Sequence, residues 1–151
     1  MQNPIVDIDF TEFPARHTCD GEDVSPRIRL SRVESPYLAV ILTDPGAKGG
    51  PFHHWLIWNI PAAKEIPEGI PKKGEIESPI RGVQGKNDKG SIGYSGPCPP
   101  HGIAHEYYFN IYGLDGPLAL EAGASFADLE KAMEGHTLQY SGTAVATYRR
   151  P

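Results

Sequence analysis

Residues Gly50–Pro61 read GPFHHWLIWNIP. Within it, Trp55–Ile60 is a short apolar run broken only by Asn59 and closed by Pro61. Its length and its aromatic and β-branched content describe a strand buried on both faces. Two histidines, His53 and His54, stand at its entrance. Adjacent side chains of a strand point to opposite faces, so the pair is expected to split. One imidazole should face a pocket and the other should pack or meet solvent.

The flanking sequence has the same grain. YLAVILT (Tyr37–Thr43) is a second apolar run of strand length. VDIDF and RIRL alternate apolar and charged residues, the signature of half-buried strands, and HEYYFNIYGL (His105–Leu114) and GTAVATYR near the end add two more. One segment reads as a helix, near 126–134: Ser125 can cap it with Asp128 three residues later, Phe126, Leu129, Ala132 and Met133 share a face, and Gly135 suits the stop. With 17 Gly and 15 Pro in 151 residues, turns are frequent, which favours a mainly β architecture in a single domain, 1–151. The Pro/Gly-rich stretch 61–102 reads as a long excursion over one face, the kind of segment in which sites are built.

Composition narrows the function classes. A net charge of -5 without a basic stripe argues against nucleic-acid binding. No apolar stretch is long enough to span a bilayer. The opening MQNPIVDIDF has neither a cationic start nor a signal-peptide core, so a cytoplasmic location is expected. In that setting Cys19 and Cys98 are expected to be reduced.

The residues able to do chemistry lie at strand ends: Asp44 closes one strand, His53 and His54 open the next, and His105 opens a third. HEYY lacks the second histidine of a zincin motif, because Phe109 stands there, and GYSGP has Pro97 in place of the last glycine of a nucleophile elbow. Cys98 with His101 or His105 could form a thiol–base pair, but nothing argues for a lowered thiol pKa. Asp44, His53, His54 and His105 are donors that suit zinc or iron, although alternation separates the first two histidines unless a bulge intervenes. The reading favoured is an anion pocket without metal or cofactor. Gly-rich GYSG would expose backbone N–H groups to an oxyanion, a histidine would add a donor, Asp44 would fix that imidazole's tautomer, and tyrosines would supply walls.

Four stretches in this order resemble the phosphatidylethanolamine-binding protein family, also called Raf kinase inhibitor-like proteins, in its bacterial and archaeal branch. They are FTEFPARHTCDGEDVSPRI, LTDPGAKGGPFHHWLIWNIP, GKNDKGSIGYSGPCPPHGIAHEYYFNIYGLD and LEKAMEGHTL. The resemblance implies a β-sandwich with a large central antiparallel sheet, a smaller sheet and a few short helices. It implies a pocket for phosphate-type anions formed by Asp44, His54, His105 and Tyr107 beside the turn Ser95, Gly96 and Pro97. It implies a non-enzymatic binder of a small phosphate-bearing anion or phospholipid head group, linked to a protein kinase or a protease, with a homodimer as one assembly of the branch. The alternative is a metal-dependent or acid–base hydrolase using Asp44, His54 and His105. Gly46, Lys48 and Glu106 depart from the family's usual residues, which bears on the ligand's identity; Glu106 is expected to face away from the pocket.

Overall fold

The computed structural model describes residues 2–141 and 144–151. Its strands are β1 (Ile5–Ile8), β2 (Ile28–Ser31), β3 (Tyr37–Asp44), β4 (Phe52–Pro61), β5 (Glu65–Ile66), β6 (Glu75–Ile76), β7 (Gly82–Gln84), β8 (Ala104–Leu114), β9 (Thr137–Tyr140) and β10 (Ala144–Arg149). The helix α1 spans Phe126–Met133, and a single 3-10 turn covers Ala15–His17. A seven-stranded sheet runs β10-β8-β3-β4-β7-β6, with β9 also paired to β8; a three-stranded sheet runs β1-β2-β5. The strand pairings are antiparallel. The mainly β sandwich with one large and one small sheet is therefore the observed architecture.

Two apolar layers cover the large sheet. On one face Leu38, Val40, Leu42, Trp55, Ile57 and Phe109 pack toward Ile28, Leu30 and Ile66 of the small sheet. On the other, Ala39, Ile41, Leu56 and Trp58 meet Leu129 and Met133 of α1. Burial on both faces explains why β3 and β4 read as continuous apolar runs. The helix starts where its capping box forms: Ser125 Oγ accepts from the Asp128 N–H at 3.2 Å, and Asp128 returns the bond to the Ser125 N–H at 3.3 Å.

The decisive local feature is a register shift in the β3–β4 pair. Leu42 faces Trp55, but the next pair is Thr43 with His53, so His54 is an extra residue. Such a bulge reverses the alternation of side chains on either side of it. His54 therefore shares the face of Trp55 and Ile57, while His53 joins the face of Leu56 and Trp58, where its ring stacks on Phe126 at 3.6 Å.

The strands β5, β6 and β7 have no counterpart in the sequence reading, because two or three residues carry too little periodicity; β9, as long as β1 and β2, has none either. In the last predicted strand, Gly142 and Thr143 lie outside the described residues.

The two supports of α1 differ in weight. Leu129→Ala should cost about 2–5 kcal/mol through lost burial, and Ser125→Ala about 1 kcal/mol through the lost cap. Urea unfolding of both variants measures the difference, and equal losses would contradict this packing.

Candidate functional site

Antiparallel pairing brings the C-terminal end of β3 and the N-terminal ends of β4 and β8 to one end of the sheet. Asp44, His54, His105 and Tyr107 thereby line one cavity of about 600 Å³. Ser95 and Gly96 form a second wall, joined by Cys98, Pro99 and Pro100. Phe52, Ala47 and Ile103 extend the apolar lining, and Lys48 and Lys89 stand at it as well. Pro97 lies behind this wall: it is buried, it does not line the cavity, and its carbonyl accepts from the Cys19 N–H at 3.2 Å. Glu106 is exposed and outside the cavity.

The two imidazoles are oriented by different partners. His105 Nδ1 lies 2.6 Å from Asp44 Oδ2, whose other oxygen accepts from the Gly46 N–H at 3.0 Å. His54 Nδ1 lies 2.7 Å from the Ser95 carbonyl oxygen. Asp44 thus fixes His105, not the histidine that opens the apolar run. A carbonyl can only accept, so His54 Nδ1 carries the proton. Burial then lowers the His54 pKa, opposed by the Ser95 carbonyl and by Asp44. In its neutral form His54 Nε2 is a lone pair, a hydrogen-bond acceptor. Only the protonated ring offers Nε2–H to an anion. Tyr107 stands between the two rings, 5.4 Å from His54 edge-on and 6.5 Å from His105. Burial pushes its hydroxyl pKa well up, with Asp44 adding to the shift, so it remains a donor. Among the described residues, nothing hydrogen-bonds to the hydroxyls of Tyr107 and Ser95.

The backbone cradle expected of GYSG is not free. The Gly93 N–H donates to the Gly85 carbonyl, the Ser95 N–H to the His54 carbonyl and the Gly96 N–H to Asp23 Oδ1 at 2.7 Å. The wall packs directly on the loop behind it, and those acceptors take the N–H groups first. Gly96 is glycine for that reason: a Cβ there would come within 2.0 Å of the His17 carbonyl oxygen. The cavity's donors are side chains.

The expectation of two reduced thiols is also corrected. Cys19 and Cys98 form a disulfide across 5.4 Å between Cα atoms. The hydrogen bond from Cys19 to Pro97 lays the two segments side by side, within bridging reach. Cys98 is therefore not available as a nucleophile in this form. Among the described residues no group of three or more His, Cys, Asp and Glu side chains is arranged to hold a metal ion. His53, on the far face, bonds Asp88 through both its backbone N–H at 2.7 Å and its ring Nδ1 at 2.8 Å.

With this geometry in place, comparison is informative. Residues 7–149 match the family model described as phosphatidylethanolamine-binding protein. The chain belongs to this family. A UPF0098 protein of Pyrococcus abyssi is 52% identical over 142 residues, covering 91% of this chain and 79% of that one. The crystal structure of a phosphatidylethanolamine-binding protein homologue from Chlamydia trachomatis superposes with a TM-score of 0.86 at 30% identity, covering 99% of each chain. E. coli YbcL, described as a member of the mammalian family, gives a TM-score of 0.87 at 25% identity, covering 99% of this chain and 100% of that one. Within this family member, the sequence reading missed Phe52, Lys89 and Ile103 as cavity residues. The only available signal was their place beside strand ends and turns.

His54 should leave a mark on stability. The unfolded imidazole takes up its proton near pH 6.5, and the folded one resists until lower pH. Its contribution is fully present above about pH 6.5 and is lost as pH falls through the lowered folded value. His54→Asn, which keeps a donor to the Ser95 carbonyl, should flatten that part of a stability–pH profile measured by urea unfolding.

Proposed function

We propose that the protein binds a small phosphate-type anion in this cavity and does not turn it over. The observation that carries the reading is the pair of imidazoles with Nδ1 committed, beside the unbonded hydroxyls of Ser95 and Tyr107. Those hydroxyls donate to anionic oxygens without needing charge. The wall residue Ser95 meets His54 through its carbonyl, so its hydroxyl has no base activating it. The bridged Cys98 is likewise no nucleophile. Phosphatidylethanolamine, the ligand in the family's name, carries a phosphate of this kind. In this reading any control of a kinase or a protease follows from occupancy of the cavity.

Binding is coupled to a proton. Neutral His54 presents a lone pair to the ligand, which repels a fully ionised oxyanion. The complex forms when the imidazole is protonated or when the anion brings a hydrogen of its own. An anion that prefers the imidazolium raises its pKa, so affinity rises as pH falls.

Sulfate does not titrate near neutrality, so its pH dependence reports the protein alone. Calorimetry should show sulfate and inorganic phosphate binding more tightly as pH is lowered from about 7.5 to about 5.5. His54→Asn should remove most of that gain, His105→Asn should weaken binding, and His53→Ala should leave both intact. Affinity unchanged in both cavity variants would remove this reading. Stoichiometric metal in the purified protein, lost on changing His54, would favour a metal-dependent hydrolase instead.

A further inference from the structure

The fixed charges lining the cavity are one carboxylate, Asp44, and two ammonium groups, Lys48 and Lys89. Asp44 is 4% exposed, and both its oxygens already accept hydrogen bonds. Both lysines are exposed and reach the cavity from separate turns. Among the described residues neither ammonium has a carboxylate partner, and of the chain's seven lysines only Lys72 has one. What marks these two is their place: the lining carries two lysines to one carboxylate, on a chain of net charge -5.

Their backbones are held. Asn87 Oδ1 accepts from the Lys89 N–H at 3.0 Å, and neighbouring Asp88 is bonded to His53 from the opposite face of the sheet. Lys48 follows the turn that the Gly46–Asp44 hydrogen bond closes. Beside the Ser95 and Tyr107 hydroxyls and the two lysines, the lining is apolar, from Phe52, Pro99 and Ile103, the last 49% exposed. A phosphate group alone fills a small part of about 600 Å³, a volume that suits a larger organic ligand.

We propose that the cavity selects organic phosphates carrying a second anionic group. The phosphate sits among Ser95, Tyr107 and the two imidazoles, a short apolar spacer runs along Phe52 and Ile103, and the second anion meets Lys48 and Lys89. This rests on the anion-binding reading above. It also sets this chain against the head group in the family's name, because ethanolamine would bring an ammonium to a rim that already holds two.

Three ligands of similar length separate the possibilities: phosphoglycolate with an anionic tail, n-propyl phosphate with a neutral one, and phosphoethanolamine with a cationic one. Calorimetry at about pH 6.5 and low salt should rank them in that order. Phosphoglycolate should bind about tenfold more tightly than phosphoethanolamine, although the protein's net charge disfavours it. The ratio should fall toward one in Lys48→Gln/Lys89→Gln and at about 0.5 M salt. Lys131→Gln, on α1 and outside the cavity, should leave it intact. If propyl phosphate binds but phosphoglycolate holds no advantage, or the advantage survives in the double variant, the rim assignment is wrong while the anion pocket stands. If none of the three binds, the anion pocket fails and this inference with it.

Discussion

One additional residue in β4 organises the site. Without the shift at His54, the alternation set by Trp55 and Ile57 would turn His54 toward α1 and leave His53 on the cavity side. The bulge exchanges them at the cost of one unpaired position in a ladder that has a second register shift between Leu38 and Val40. Its position is pinned from both sides: Trp55 and Leu42 are buried on the inner face, and His53 is trapped between Phe126 and Asp88 on the outer. A slip of one residue would exchange Trp55 and Ile57 with Leu56 and Trp58 between two differently packed faces, so the cavity inherits its geometry from the core.

The cavity that results is mostly apolar, with a few polar groups converging in it. Each imidazole spends one nitrogen on an acceptor that fixes its orientation, which leaves the other nitrogen as the only part free to change character. The hydroxyls of Ser95 and Tyr107 can donate without charge, whereas His54, with Nδ1 on the Ser95 carbonyl, can donate from Nε2 only when protonated.

Much of this was legible in the residues. Apolar runs fixed the central strands because both faces of the large sheet are covered, and the capping pair at Ser125 and Asp128 located α1 within a residue. Strand ends alone pointed to Asp44, the pair His53 and His54, and His105 as neighbours. What could not be read were events set by packing between distant segments. Which histidine Asp44 would hold depended on β8 lying against β3. The use of the Gly96 N–H depended on Asp23, far away in the chain, at a left-handed φ of 58°. The opposite-face expectation for His53 and His54 held, but alternation counted from Trp55 would have chosen the wrong one for the cavity; only the family resemblance, or the bulge itself, selects His54.

The bridge between Cys19 and Cys98 changes the chain even where no structure exists. It spans 79 residues, so the unfolded molecule is a ring with two tails, and the chain-entropy estimate for closing it is about 4.5 kcal/mol. The ring carries β2 through β7, while β8, β9 and β10 belong to the C-terminal tail. Pairing β3 with β8 must therefore join ring to tail. Through the bridge, the chain path from Thr43 to Tyr108 is roughly half its length along the backbone, which lowers the closure entropy by about 0.6 kcal/mol. The same covalent link that backs the cavity wall also shortens the search for the strand pairing on which the cavity stands.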